Sequence, residues 1–112
     1  MVYNECMKKI VLIDDDKLIG LSWGLKAKKA GVDLLAFTSI EDFLGACAEL
    51  PRDIDIYVDS SLGNGVKGEL ESQKIAALGF TNIYLATGYE ANSFDLNQYS
   101  WVKGVISKTP PF

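Results

Sequence analysis

Five short apolar runs are spaced along this 112-residue chain, and helix-like segments separate them. The runs are rich in Val, Ile, Leu and Tyr, a composition typical of strands that are buried in a sheet. The predicted strands are Lys8–Ile13, Asp33–Phe37, Ile54–Val58, Asn82–Thr87 and Val102–Ser107. Alternation of strands and helices at this spacing predicts βαβ units with right-handed crossovers. The expected fold class is therefore α/β, with a doubly wound, five-stranded parallel sheet.

The segments between the strands carry signals for the start and the end of helices. Asp16 and Ser39 are residues that cap helix N-termini, and Gly31 is a residue favoured just past a helix end. The predicted helices run from Asp16 to about Ala30, from Ser39 to Pro51 and over Glu69–Leu78, with a weak and short fourth helix over Ala91–Leu96. The glycine-rich stretch Leu62–Gly68 is predicted to be a loop.

The length and the charge of the chain restrict its class. The length fits one domain with a single core. The net charge of -4 disfavours a nucleic-acid surface, which requires clustered Lys and Arg. No apolar run approaches the length of a membrane span, so we expect no membrane contact by this domain. Met1–Met7 shows no clear pattern and is assigned to a lead-in segment, which leaves residues 8–112 as the domain.

Cysteine and histidine usage excludes several kinds of site. Cys6 and Cys47 lie far apart and the chain has no histidine, so the spacing of a zinc site is absent. Two unpaired thiols fit a reducing compartment, and we expect a cytoplasmic protein. The absence of histidine also excludes Ser-His and Cys-His catalysis, and it excludes an autophosphorylating histidine within this chain.

Polar residues stand at the carboxyl ends of four of the predicted strands. Asp14, Asp15 and Asp16 follow the first strand, and the other three are Asp59, Thr87 and Lys108. Because the carboxyl ends of parallel strands share one edge of the sheet, where ligands bind, these groups should meet. Each group alone has an ordinary structural explanation. The three aspartates could form a solvated turn with an N-cap, and Asp59 could be an exposed turn residue. Thr87 could be a β-branched strand residue, and Lys108 a surface charge. Their coincidence at one edge favours a magnesium-assisted phosphoryl transfer to an aspartate.

The four motifs VLIDDD, IYVDS, YLATG and VISKT resemble the receiver domain of two-component response regulators. The resemblance implies a flavodoxin-like sheet with strand order 2-1-3-4-5 and phosphorylation of Asp59 by a histidine kinase or a histidine phosphotransfer domain. It also implies that Thr87 and Lys108 stabilise the transferred phosphoryl group. Magnesium, or manganese in its place, would be held directly by Asp15 and Asp59, through water by Asp14, and by the backbone carbonyl of Ser61.

The chain departs from the usual receiver pattern after the fourth strand. Val105 stands where an aromatic residue is common, and Thr109 separates Lys108 from Pro110. The sequence ends four residues past Lys108, where receivers usually continue into a final helix, so we expect that helix to be missing. In this respect the chain is similar to the C-terminal receivers of hybrid sensor histidine kinases, some of which end in a Lys-x-Pro-Pro-aromatic tail.

A missing final helix has a consequence for the first helix. That helix carries two apolar stripes, more than one sheet contact needs: Leu18, Leu21 and Leu25 form one, and Ile19, Trp23 and Ala27 form the other. We therefore expect the Trp23 side to be covered by the Trp101 region, by the Pro110–Phe112 tail or by another protein surface. That surface could belong to a second copy of the domain or to the kinase body of a larger parent chain.

Two alternatives remain open. A haloacid-dehalogenase-like phosphatase also uses an Asp nucleophile with magnesium, but it needs a second Asp two residues later, where this chain has Ser61. Asp14 and Asp16 do form an Asp-x-Asp pair, without the usual Gly-Thr. A pseudo-receiver would keep the fold as an interaction module without phosphorylation. The altered loop after Lys108 favours it, and the intact set of Asp14, Asp15, Asp59, Thr87 and Lys108 argues against it. We do not expect a stand-alone enzyme.

Overall fold

A computed structural model describes residues 8–88 and 95–112 of the chain. Its strands form one parallel sheet in the order β2-β1-β3-β4-β5, which confirms the predicted topology. The strands are β1 Lys9–Ile13, β2 Asp33–Phe37, β3 Asp55–Val58, β4 Asn82–Ala86 and β5 Val102–Ile106. The three helices in the described residues are α1 Lys17–Ala30, α2 Ile40–Ala46 and α3 Gly68–Ala77.

Both faces of the sheet are buried. On one face, Phe43 of α2 and Ile75 of α3 pack with alternate residues of the central strands, such as Val11 and Val58. On the other face, Trp23 of α1 packs with the residues that point the opposite way, such as Leu12, Tyr57 and Ala86. Because successive strand residues face opposite sides of a sheet, the apolar runs supply both cores at once.

Helix α1 begins and ends where the sequence predicts. The Asp16 side chain accepts a hydrogen bond from the backbone N–H of Leu18 at 2.9 Å, and Gly31 ends the helix with φ of 72°. That left-handed conformation favours glycine because it has no Cβ. Trp23 and Ala27 are buried against the sheet. The other stripe lies on the solvent side, with Leu18, Leu21 and Leu25 exposed by 73%, 66% and 68%.

Helix α2 ends earlier than predicted. Pro51 was the expected end, but the helix stops at Ala46 with Cys47 as its C-cap. The backbone N–H of Leu50 then bonds to the Cys47 carbonyl at 3.0 Å. The Arg52 guanidinium donates to the carbonyl oxygens of Cys47 and Leu50 at 3.2 Å and 2.9 Å. The carbonyl groups of Cys47 and Leu50 thus accept hydrogen bonds that are not part of a helix, and these bonds stabilise a turn after α2.

The loop after β3 is folded into a small hairpin. Ser61 and Lys67 form an antiparallel bridge, and the Leu62 N–H bonds to the Val66 carbonyl at 3.0 Å. Gly68, the first residue of α3, lies directly under the site, because a Cβ there would overlap the carbonyl oxygen of Asp59. The predicted loop is therefore confirmed, with more internal order than its glycine content indicates.

The structure tests only part of the predictions for the N-terminal segment, for the weak fourth helix and for the region after β5. Met1–Met7 and residues 91–94 of the weak helix over Ala91–Leu96 lie outside the described residues. Asp95 belongs to a turn, since its carbonyl accepts the Gln98 N–H at 2.9 Å. Among the described residues, no helix follows β5, no peptide bond is cis, and no helix has the length and apolar character of a membrane span.

The tail after β5 covers Trp23. Phe112 packs edge-on against the Trp23 ring, with centroids 6.0 Å apart, and Trp23 is only 1% exposed. This confirms the predicted cover by the Pro110–Phe112 tail. The Trp101 region does not contribute, because Trp101 packs on the opposite face of the sheet and its indole N–H donates to Ser72 Oγ at 2.8 Å.

Candidate functional site

The polar residues at the strand ends meet at one edge of the sheet. Backbone hydrogen bonds continue the strand pairing past the strand ends, from Asp14 N–H to the Phe37 carbonyl at 3.0 Å and from Asp59 N–H to the Ile13 carbonyl at 2.8 Å. A cleft of about 410 Å³ opens there and is lined by all six predicted site residues: Asp14, Asp15, Asp59, Ser61, Thr87 and Lys108. Strand β1 pairs with both β2 and β3, so the cleft lies at the topological switch point.

Three carboxylates form an acidic cluster in this cleft. One oxygen from each of Asp14, Asp15 and Asp59 lies within 4.8 Å of the others. Asp14 and Asp59 are buried, with 3% and 7% of their surface exposed, whereas Asp15 is exposed. The expected approach of Asp15 and Asp59 is therefore present in the structure. Carboxylates this close repel one another unless a cation lies between them.

Lys108 places its ammonium against the two buried carboxylates. Its Nζ lies 2.5 Å from Asp14 Oδ2 and 2.9 Å from Asp59 Oδ1. Partial burial lowers the pKa of Lys108, but the hydrogen bonds to Asp14 and Asp59 outweigh it, and the net pKa is raised above 10.5. The ammonium is therefore charged at neutral pH. Sequence reasoning paired Lys108 with Asp59 and missed Asp14, because 94 residues separate the two.

The surroundings of the Asp59 carboxyl group change its pKa. Burial raises its pKa above 3.8, and the neighbouring Asp14 charge adds to the rise. The hydrogen bonds from Lys108 and from the Ser61 N–H, the latter at 3.2 Å to Oδ1, act in the opposite direction without cancelling it. A buried carboxylate with a raised pKa and a cation beside it is typical of a functional site.

Thr87 shares the site with a residue that sequence reasoning missed. The Ser60 and Thr87 hydroxyl oxygens lie 2.8 Å apart in a hydrogen bond in which either can be the donor, and both residues are buried. Ser60 follows Asp59 directly at the end of β3, and Thr87 stands at the corresponding end of β4. The signal was available, because two hydroxyls at the ends of paired strands should meet.

The site residues suit a hard divalent cation. The cluster offers only oxygen atoms, which magnesium prefers, and Ser61 lines the same cleft. Gly63 has φ of 83°, and a Cβ at this position would lie 2.9 Å from Asp15 Oδ2. Glycine therefore keeps room beside the exposed carboxylate. The donor set and the open space on the Asp15 side fit a metal ion that retains several waters.

Comparison with solved structures is consistent with this geometry. A CheY-like response regulator receiver domain protein from Methanospirillum hungatei aligns with a TM-score of 0.72 and 20% identity, over 92% of this chain and 82% of that one. The BeF3-activated DrrB receiver domain aligns with a TM-score of 0.70 and 23% identity, over 95% of this chain and 86% of that one. This chain has the receiver-domain fold. No family model and no curated protein matches the sequence.

A further receiver-fold structure was solved with its site modified. A response regulator from Burkholderia pseudomallei, with a phosphorylated aspartic acid, a calcium ion and citrate, aligns with a TM-score of 0.74 and 18% identity, over 91% of this chain and 60% of that one. The fold is thus shared with a protein that carries both a phosphorylated aspartate and a divalent cation. At these identities the likeness concerns the fold alone.

Proposed function

We propose that this chain is a phosphoacceptor receiver domain in which Asp59 takes a phosphoryl group from a phosphohistidine on a partner protein. One observation carries the proposal: the Lys108 ammonium contacts the buried carboxylates of Asp14 and Asp59, and an oxygen of the exposed Asp15 lies within 4.8 Å of oxygens of both. This arrangement brings a nucleophile, a cation and a group of candidate metal ligands together in one cleft. The receiver fold places these groups together at the carboxyl edge of the sheet.

The proposed reaction is an in-line displacement at phosphorus. A carboxylate oxygen of Asp59 forms a bond to phosphorus while the bond from phosphorus to the imidazole nitrogen breaks, and the imidazole keeps that electron pair. Negative charge spreads over the phosphoryl oxygens in the transition state. The Lys108 ammonium and the Thr87 hydroxyl stabilise that charge. Thr87 lies at the end of β4, and Lys108 lies beyond the end of β5, both on the same side of β3 in the sheet.

A divalent cation completes the proposed site. Asp14, Asp15, Asp59 and the Ser61 backbone carbonyl are the groups that would hold magnesium or manganese, which supplies positive charge to the phosphoryl oxygens when bound. The raised pKa of Asp59 supports this role, because burial and the Asp14 charge both disfavour its ionised form without a second cation.

The phosphoryl donor is proposed to be a histidine kinase or a histidine phosphotransfer domain, because this chain has no histidine of its own. Residues Lys108 to Phe112 follow a Lys-x-Pro-Pro-aromatic pattern, which supports an origin in a hybrid histidine kinase, within a phosphorelay. The free and buried Cys47 thiol is in keeping with the proposed cytoplasmic location.

The two alternatives are less well supported. For a phosphatase, the residue two after Asp59 should be an acid that protonates the leaving group, and Ser61 instead donates its backbone N–H to Asp59. For a pseudo-receiver, the site should have lost one of its charged groups. In this structure Lys108 contacts both buried aspartates although Thr109 stands where proline is usual.

Acetyl phosphate with magnesium tests the proposal on the purified protein. Intact-mass spectrometry should show the addition of one phosphoryl group to the wild-type chain, and none to Asp59→Asn, which keeps the side-chain shape and removes the nucleophile. Asp55→Asn is the matched control, since Asp55 begins the same strand at the opposite edge and pairs with Lys8 at 2.8 Å. An unmodified wild type, or a modified Asp59→Asn, would contradict the assignment.

A further inference from the structure

The indole of Trp23 is hydrogen-bonded to the backbone of Lys108. Its Nε1–H donates to the Lys108 carbonyl oxygen at 2.8 Å, across a separation of 85 residues. Trp23 lies in the middle of α1 and is only 1% exposed. The contact thus joins a helix on one face of the sheet to the residue that carries the ammonium of the site.

This hydrogen bond restrains the position of Lys108. A buried indole N–H that loses its acceptor has no water to replace it, so a displacement of the Lys108 carbonyl carries a free-energy penalty. The ring itself cannot follow such a displacement easily. It is packed against Tyr57 of β3, with centroids 5.6 Å apart, and against Phe112, with centroids 6.0 Å apart.

The rest of the tail depends on the same ring. In the described residues, β5 ends at Ile106 and no helix follows it. Pro110 is buried, and Phe112 meets the Trp23 ring edge-on at 89°. Trp23 therefore contacts the tail at two points, the carbonyl of Lys108 and the aromatic ring of Phe112.

We propose that Trp23 is a positioning residue for phosphoryl transfer, which holds the Lys108 backbone so that the ammonium reaches the carboxylates of Asp14 and Asp59. This inference rests on the proposed function. Trp23 does not line the cleft, and its hydrogen bond is to the backbone carbonyl of Lys108, not to the ammonium. It acts through Lys108, and its loss should affect only those steps in which Lys108 takes part.

The chain offers a matched pair of substitutions. Trp23→Phe removes an indole N–H that bonds to Lys108, and Trp101→Phe removes one that bonds to Ser72 Oγ at the same distance of 2.8 Å, away from the site. With acetyl phosphate and magnesium, Trp23→Phe should be phosphorylated roughly tenfold more slowly than wild type, as expected for a misplaced charged group. Trp101→Phe should keep the wild-type rate.

A double-mutant cycle separates positioning from general destabilisation. In a Lys108→Ala background, adding Trp23→Phe should cause no further slowing, because the group that Trp23 positions is already absent. A merely structural role would slow both backgrounds by the same factor. Equal factors in the two backgrounds, or equal rates for Trp23→Phe and Trp101→Phe, would overturn the inference.

A measurement on the wild-type protein covers the case in which Trp23→Phe does not fold. The two indole N–H groups give separate signals in a nitrogen-15 correlation spectrum. Addition of beryllofluoride with magnesium, a mimic of the phosphorylated aspartate, should shift the Trp23 signal as Lys108 engages the mimic, and it should leave the Trp101 signal in place. An unshifted Trp23 signal in a protein that binds the mimic would overturn the positioning role. A wild-type protein that accepts neither phosphoryl group nor mimic would instead overturn the proposed function.

Discussion

Removal of the Lys108 ammonium tests the electrostatics of the site most directly. In Lys108→Ala, Asp14 and Asp59 stay buried but lose the cation that lies 2.5 Å and 2.9 Å from their oxygens. Without a divalent ion, the two carboxylates then face each other unscreened. The variant should keep the fold and lose stability, because removal of the lysine leaves the negative charges of the two buried aspartates uncompensated.

Coulomb's law gives the size of the loss. Two unit charges 4.8 Å apart, the upper limit of the spacing in the cluster, repel by roughly 3.5 kcal/mol at an effective dielectric constant of about 20. The Lys108 side chain is 26% exposed, so water screens part of the original attraction. We therefore expect a loss of roughly 2–3 kcal/mol in the free energy of unfolding, well below the 5–15 kcal/mol that is typical for a domain.

The loss should depend on pH. Burial raises the pKa of Asp59 and the Lys108 hydrogen bond lowers it, so removal of Lys108 raises this pKa further. A pKa that is higher in the folded state contributes stability that is fully present below the unfolded value, 3.8 for this carboxyl, and is lost as pH rises through the folded value. The deficit of Lys108→Ala should be small near pH 4 and reach its full size at neutral pH.

Urea denaturation followed by circular dichroism, in the presence of a chelator, measures this deficit at both pH values. Lys103→Ala is the control, because Lys103 is an exposed lysine on the same strand that bonds only to Asn82 at 2.6 Å among the described residues. Its change should stay within about 0.5 kcal/mol. Adding Asp59→Asn to Lys108→Ala should recover most of the stability. Equal losses for the two lysine variants at neutral pH would refute the reasoning.

Other parts of the structure give further tests. Millimolar magnesium should raise the melting temperature in a thermal scan by binding only the folded site, and Asp15→Ala should abolish the rise. In urea denaturation, Gly68→Ala should cost roughly 1–3 kcal/mol, since its Cβ would overlap the Asp59 carbonyl oxygen, whereas Gly24→Ala, with open space around it, should not destabilise. Burial raises the pKa of Tyr57 from 10.0 to about 12, so the free energy of unfolding should fall as the pH rises through this range, and Tyr57→Phe should remove much of that fall in an alkaline titration.

The strands were predictable because local pattern and tertiary role agree. β2 spans Asp33–Phe37 as predicted, and each of the other four strands differs from the prediction by one residue at one end. The apolar runs are short and bounded by turn residues, and most residues of the central strands β1, β3 and β4 are buried in the sheet. The convergence of the polar strand ends was predictable for the same reason, since topology alone brings the carboxyl ends of parallel strands together.

The contacts that the sequence could not reveal are those between distant side chains. The early end of α2 depends on where the Arg52 guanidinium lies, and the hydrogen bond between Ser60 and Thr87 depends on the rotamers of both. The pairing of Lys108 with Asp14 requires a tail conformation that no local pattern specifies. Such contacts follow from packing after the sheet has formed, and propensity and periodicity contain no information about them.

The cover over α1 changes which surface a partner could use. The tail covers the Trp23 stripe from within the chain, so that face does not need a second protein to bury it. Leu18, Leu21 and Leu25 remain more than 60% exposed along successive turns of the same helix. Scattered apolar residues are normal on a surface, whereas a continuous stripe of leucines is typical of a protein contact. The contact with a second copy or with a parent kinase, predicted for the tryptophan side of α1, stays a prediction, and the exposed leucine side is the surface on which we would now test it.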